Sequence, residues 1–258
     1  VLTIRKEQMK VLSDDMRPSL VDPLASHLRG YFPGQCEILG DTPLRKTIEL
    51  GLENAARYDL LSEREVFLYL SLMFMLGSFF DADLQLPWAA PILNKSRFPD
   101  GHAKVQALYD AAMDYLDRTV GEDEAEHLKV LLRVKKLDPD RAAKQVQADF
   151  SSGMIGLFRE VHPKKAALLG NGVLEKLIAD GSESALRYGI VGERGRMVYL
   201  LHMFIIGSGF DRDPQFPWAE AILTDTALSG EGERVDRLHQ AAMDHLNRSL
   251  EATEATEE

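Results

Sequence analysis

Apolar positions along most of this chain recur at intervals of three and four, the spacing of one helix face. Ile4, Met9, Leu12, Met16, Leu20, Leu24, Leu28 and Phe32 show it first. Pro18 and Pro23 interrupt the pattern, which predicts a short lead-in and then a helix from about Pro18 or Pro23, stopped by Tyr31-Phe32-Pro33-Gly34. The next helix is expected to start with Thr42 as N-cap and Pro43 at the first helical position. Leu44, Ile48, Leu52, Ala55 and Ala56 form its apolar stripe, and Gly51 within it marks a close helix contact. Ser62 and Glu65 have capping-box spacing, and Val66, Phe67, Leu70, Met73, Phe74 and Gly77 then fall on one face. Residues 88 to 93 predict a short helix limited by Pro91, residues 94 to 101 a connector, and Val105, Leu108, Ala112, Tyr115 and Leu116 a further amphipathic helix. Alternating strand-like runs with hairpin turns are absent.

The stretch from Phe80 to Ala89, reading FDADLQLPWA, returns as FDRDPQFPWA from Phe210 to Ala219. The offset is 218 − 88 = 130 for the tryptophans and 211 − 81 = 130 for the aspartates. At the same offset Pro33 meets Pro163, Gly40 meets Gly170, Gly51 meets Gly181, and Arg57-Tyr58 meets Arg187-Tyr188. Glu63-Arg64, Met73-Phe74, Gly77-Ser78 and Ala111-Ala112-Met113-Asp114 recur likewise. The expectation is an all-α protein of two tandem homologous helical-bundle units of about five helices each. The first unit spans 1–121 and the second 139–250. Residues 122–138 form a linker helix, acidic at its start and basic at its end, and 251–258 a disordered acidic tail.

Composition narrows the classes of function. The 258 residues carry a formal net charge of −11, which argues against nucleic acid and against an anionic membrane surface, and suits solubility or a basic protein partner. The apolar runs are too short to span a membrane, and, with no basic stretch followed by an apolar one in the first residues given, no signal peptide is expected. The single cysteine, Cys36, excludes an internal disulfide framework and fits a reducing, cytoplasmic setting.

The repeated aspartates are the first candidates for chemistry. Two carboxylates two residues apart can hold a hard cation, but the D-x-D pairs Asp81/Asp83 and Asp211/Asp213 lack the further oxygen ligands of a calcium loop. The competing expectation is structural: Asp83 or Asp213 caps the helix opened by Pro87-Trp88 or Pro217-Trp218, and Trp88 and Trp218 plug the core beneath. Arg57 and Arg187 at helix ends can bond terminal carbonyls or pair with a loop aspartate, with Tyr58 and Tyr188 beside them. The seven histidines form no metal-ligating set, and His202, His239 and His245 replace Leu72, Tyr109 and Tyr115 of the first copy. Gly207-Ser208-Gly209 follows a helix, not the strand a nucleophile elbow requires, and no phosphate-binding or dinucleotide fingerprint is present. No catalytic residue, cofactor or metal is expected. The groove between the two units is the expected location of a site.

The residues Arg187-Tyr188-Gly189-Ile190, Glu193-Arg194, Met203-Phe204, Gly207 and Phe210 to Leu223 resemble a family of small bacterial proteins often encoded beside type VI secretion components and effectors. The first copy departs at Asp59 for Gly, Leu60 for Ile and Leu84 for Pro. The resemblance implies a fused pair of a unit that the family often uses singly. It carries no established chemistry. Together with the acidic charge it implies a non-enzymatic, cytoplasmic protein-binding module: an adaptor or chaperone for a secreted effector or spike component, or alternatively an immunity protein neutralising a toxin. A divalent-metal enzyme built on the four aspartates is the remaining alternative.

Overall fold

A computed structural model describes residues 6–94, 98–121, 125–228 and 230–257, with side chains from residue 19 onward save those of 125, 127 and 253–257. Among these residues the chain forms thirteen α-helices, one 3-10 turn and no strand. The order is α1 Lys6–Tyr31, α2 Pro33–Leu39, α3 Asp41–Arg57, α4 Glu63–Leu76, α5 Ala89–Leu93, α6 Gly101–Thr119, α7 Ala125–Lys136, α8 Pro139–Val146, α9 Phe150–Val161, α10 Pro163–Arg187, α11 Glu193–Ile206, the 3-10 turn Phe210–Arg212, α12 Pro217–Leu223 and α13 Glu231–Glu257.

The buried apolar side chains fall into two clusters. One runs from Val21 to Tyr115 and is centred on α4, the other from Val130 to Leu246 and is centred on α11. Both central helices are enclosed on most sides, with Tyr69, Leu70, Leu72 and Met73 in one and Tyr199, Leu200, Leu201 and Met203 in the other all buried. Gly51 of α3 and Gly181 of α10 explain how the neighbouring helix comes so close. A Cβ at either would overlap a leucine of the central helix, Leu70 or Leu200, and press on the sulfur of Met73 or Met203. Gly40 and Gly170 hold φ of 75° and 71°, a left-handed conformation that glycine adopts without a Cβ penalty, and each turns the chain into the next helix. α10 is therefore two helical segments meeting at a kink: its backbone leaves helical geometry at Gly170, just as α2 gives way to α3 at Gly40.

Several local expectations hold. Ser62 and Glu65 form the capping box at α4, and Gly77 ends that helix. Others are corrected. α1 runs without a break through Pro18 and Pro23, and Pro23 sits on its exposed side, where its ring needs no place in the core. The short helix α2 carries no periodic signal of its own, and α3 starts at Asp41 behind Gly40, not at a Thr42 cap. Asp41 rather than Thr42 anchors that end, through Arg29 and Arg45 at 2.6 and 2.8 Å.

The expected linker helix is part of the core. Val130, Leu131 and Val134 of α7 are buried in the second cluster, so α7 packs on its neighbours. The segment expected to be a disordered tail continues α13 as far as Glu257, and Ala252 seats its methyl against Gly34 of α2. Small residues on both sides of that crossing allow the approach, which net acidity alone did not reveal. Residue 258, the start of the expected linker at 122–124 and the side chain of His127 lie outside the described residues.

Candidate functional site: the paired aspartate loops

The repeated loops follow the C-termini of α4 and α11. Gly77 and Gly207, with φ of 95° and 137°, end those helices and swing the chain back. Each loop carries one aspartate that ties its own cluster and one that reaches the other.

Asp81 and Asp211 are the inward pair. Asp81 accepts hydrogen bonds from the hydroxyls of Tyr58 at 2.7 Å and Tyr69 at 3.1 Å. Asp211 accepts from Tyr188 at 2.9 Å and Tyr199 at 2.8 Å. Burial, followed by the charge of the aspartate and its hydrogen bond, pushes Tyr188 up to about 12, and burial beside Asp81 pushes Tyr58 up as well. Such phenols stay protonated near neutral pH, which fits them as donors to a buried carboxylate and unfits them as general bases. Of the two expectations for Arg57 and Arg187, bonds to terminal carbonyls or a pairing with a loop aspartate, the second is not met. The tyrosine beside each takes that place instead, while both arginines remain exposed and Arg187 donates to Ser184. A phenol meets a buried carboxylate without bringing a second ion out of water.

Asp83 and Asp213 are the crossing pair. The two oxygens of Asp83 accept the backbone N–H of Ser208, at 2.8 Å, and its hydroxyl. Asp213 does the same to Ser78, with the backbone N–H at 2.7 Å. Each aspartate also accepts the backbone N–H two residues on, from Gln85 at 2.8 Å and Gln215 at 2.9 Å. The glutamine side chains then cross in the same sense: Gln85 Nε2 donates to the carbonyl of Met203 at 3.0 Å, and Gln215 Nε2 to that of Met73 at 2.8 Å. The exchange is reciprocal, residue for residue. The expectation that Asp83 or Asp213 caps the following short helix is therefore corrected, since α5 and α12 begin without a side-chain cap. Trp88 and Trp218 lie half-buried against their clusters, as expected of core plugs, with both indole nitrogens enclosed.

The reciprocal seam is not fully symmetric. Phe79 packs over Gly209, the position 130 residues on, and stacks on the Arg212 guanidinium at 4.8 Å. A Cβ at residue 209 would overlap the Phe79 ring, so a second bulky residue there has no room. The cavity where the two loops meet, lined by Gly77, Phe79, Gly207 and Gly209, has about 10 Å³, at the lower limit for a single water, so the expected site in a groove between the halves finds no room at this point.

A matching asymmetry governs the polar ends of α2 and α10. Gln35 Nε2 donates to the carbonyl of Phe74 at 3.1 Å, and Lys165, at the equivalent position, donates to that of Phe204 at 2.6 Å. Burial lowers the Lys165 ammonium to about 8, and the charge of Asp83 acts against that fall.

The histidines that replace first-copy residues come together only in part. His202 on α11 is buried with its Nε2 3.3 Å from Nδ1 of His239 on α13, and burial lowers His202 to about 3. His245 lies edge-on to Phe216 and over Trp218, and burial lowers it to about 4. Among the described residues no group of three or more His, Cys, Asp or Glu is placed to hold a metal ion. Cys36 is buried, and burial pushes its thiol up.

Open space lies elsewhere, in a surface groove of about 600 Å³ between α8 and the first turns of α11 and α13. Arg194 crosses it, paired with Asp140 and Asp236. Glu231 enters from α13 and accepts the backbone N–H of Gly192 at 2.8 Å, so the positive end of α11 is already answered by a carboxylate. Sequence reasoning missed Ser78, Ser208, Gln85, Gln215, Tyr69 and Tyr199 as members of this network. Their signal was present, because each is a polar or hydroxylated residue kept at the 130-residue offset.

No family model, curated protein or solved structure matches this chain. Among the described residues no helix is long and apolar enough to cross a membrane.

Proposed function

We propose that this chain is a non-enzymatic protein-binding module made of two tandem homologous helical units, clasped face to face about an approximate two-fold axis. The observation that carries the reading is the fate of the repeated motif. All four aspartates are engaged by intramolecular donors: two tyrosine pairs, and two serines of the opposite half. All four carboxylates are buried and already hold intramolecular donors, which favours the motif as the clasp of a rigid platform over a cation or substrate site. The acidic surface suits a basic partner. The resemblance to proteins encoded beside type VI secretion components supplies the partner class: an effector or spike component held by an adaptor or chaperone in the cytoplasm. Inhibition of a basic toxin by an acidic immunity protein is the second reading that this charge favours.

Affinity purification of the tagged chain from its native host, with mass spectrometry, tests the proposal. Near-stoichiometric recovery of one effector, spike protein or toxin supports it, and rescue of toxin-expressing cells then separates immunity protein from adaptor. A preparation without a partner, together with calorimetric binding of Mg²⁺, Mn²⁺, Ca²⁺ or Zn²⁺ that disappears in Asp→Ala variants, would overturn it in favour of metal chemistry.

A further inference from the structure

α7, Ala125–Lys136, has two apolar sides. Inward, Val130, Leu131 and Val134 are buried in the second apolar cluster. Outward, Leu128 and Leu132 are 48% and 40% exposed. Four residues apart, they lie one above the other on a single stripe, which Lys136 continues at the same spacing. By helix register Lys135 flanks the stripe on one side and Lys129 on the other, and these three lysines are exposed. The helices that precede and follow α7 in the chain, α6 and α8, are both in place, and the leucines stay open beside them.

The charge of α7 is opposite to that of the molecule. It carries Lys129, Arg133, Lys135 and Lys136 against one acid, Glu126, a net of +3, so the rest of the chain carries −11 − 3 = −14. Glu126 is already held by Arg133 at 2.8 Å and by Lys129 at 3.8 Å. Arg133 also donates to the carbonyl of Val161, the last residue of α9, at 3.3 Å. Among the described residues neither Lys135 nor Lys136 has a carboxylate within ion-pair distance. Two leucines one turn apart are thus bordered by lysines whose charge nothing nearby answers.

We infer that the outer face of α7, around Leu128, Leu132 and Lys136, docks an acidic amphipathic helix of a protein partner. The inference rests on the protein-binding reading above and gives it a site, where the partner's charge is the reverse of that suited to the molecule as a whole. Apolar residues three or four apart on the partner helix cover the two leucines, and carboxylates on its flanks meet Lys129, Lys135 and Lys136. The distribution of charge favours a helix over a bilayer of anionic lipids. A bilayer is an extended surface that meets the negative charge of the rest of the chain as well as α7, whereas a helix reaches α7 alone.

The test uses the full chain and a fluorescein-labelled helical probe, a tandem repeat of Glu-Leu-Ala-Glu-Leu-Leu-Glu, read by fluorescence anisotropy. Saturable binding is expected, and it should weaken as salt is raised. Leu128→Ser with Leu132→Ser should weaken it at least about tenfold, and so should Lys135→Glu with Lys136→Glu. Leu186→Ser, at an exposed apolar residue of α10, should leave it unchanged. The same probe with Lys in place of Glu should not bind to this face. Circular dichroism checks that each variant is folded, and the exposure of the substituted side chains spares the core. Absence of saturable binding, or binding indifferent to either pair of substitutions, overturns the inference. So does a chain that ignores the probe yet sediments with phosphatidylserine vesicles through Leu128 and Leu132, because the occupant is then a lipid surface. A dimer that the leucine pair makes monomeric overturns it as well, since a second copy then covers the face. If a partner recovered from the host binds the Leu128/Leu132 variant undiminished, the docking face is wrong and the binding-module reading stands. If the probe binds as expected and no partner is recovered, the face stands and the wider reading falls.

Discussion

Asp83 and Ser208 are 125 residues apart in sequence, yet the two oxygens of the aspartate accept both donors of the serine, its backbone N–H and its hydroxyl. Ser78 and Asp213 repeat the relationship in the opposite direction. The D-x-D-x-Q element is thus half tie and half clasp. Its first aspartate fixes the loop to the tyrosines of its own helices, and its second fixes it to the other half.

Truncation of the clasp should therefore destabilise the whole molecule rather than one loop. Asp83→Ala strips three donors of their acceptor, the Ser208 N–H and hydroxyl and the Gln85 N–H, and is expected to cost about 2–4 kcal/mol. Urea denaturation measures it. Asp83→Ala combined with Ser208→Ala should cost less than the sum of the single changes, because the shared contact is lost only once. Strict additivity would show that the pair does not interact in solution.

The caps of the two central helices offer a swap. At α4 the carboxylate comes from Glu65 and space for it from Gly101; at α11 it comes from Glu231 and the space from Gly195. The four positions correspond at the 130-residue offset. Glu231→Ala should cost about 1 kcal/mol as a lost cap. Gly195→Glu alone should also destabilise, by forcing two carboxylates into one space. Gly195→Glu with Glu231→Gly installs the first-half arrangement and should recover most of the loss. Thermal unfolding of the three variants decides it, and a double variant no better than the worse single one would disprove the equivalence.

Lys165 holds the carbonyl of Phe204 as an ammonium where the first half uses the neutral amide of Gln35. Its folded pKa, lowered by burial from 10.5 to about 8, fixes the sign of the linkage. Both states are neutral at high pH. As pH falls from about 10.5 to 8 the unfolded chain takes up the proton first, so stability is lost across that window and stays lower below it. Lys165→Gln should remove this alkaline-to-neutral slope and stabilise the protein by about 1–3 kcal/mol at pH 7. Chemical denaturation at pH 7 and pH 10.5 tests it. A gain of equal size at both values would assign the effect to packing instead.

The His202–His239 pair sets an acid limit. Burial holds His202 at about 3, against 6.5 for the exposed side chain, and lowers His239 also. Depressed folded values mean stability is complete above about pH 6.5 and is lost as pH falls toward the folded value of His202. His202→Leu with His239→Tyr, the residues of the first half, should flatten that loss by about 1–3 kcal/mol between pH 6.5 and 4. Parallel melting curves over that range would show it, and an unchanged acid limit would place the sensitive group elsewhere.

Much of the local structure was legible in the chain. Periodicity marked the longer helices of the first half, the Ser62–Glu65 spacing marked the α4 cap, and Gly51 announced a close crossing, because each depends on neighbours within a turn or two. The 130-residue offset marked the residues that matter, Asp81, Asp83, Tyr58 and their counterparts. It could not assign their partners. That Tyr58 and not Arg57 meets Asp81 follows from burial, which favours a neutral donor, and burial is a property of the packed molecule. That Asp83 binds Ser208 rather than capping α5 follows from how the two loops meet, a geometry with no local signature.

The differences between the halves were equally hidden. Pro23 reads as a helix break and proves compatible with a continuous α1, because its side of the helix faces water. Residues 125–136 read as a linker and prove to be core, because their Val130, Leu131 and Val134 are buried in the second apolar cluster and Arg133 reaches the last carbonyl of α9. The sequence by itself determined that this protein is helical and which positions recur, since helix periodicity and repetition are written along one dimension. Only the tertiary structure decided which repeated carboxylate ties and which clasps, since that depends on how distant segments of the chain pack against one another.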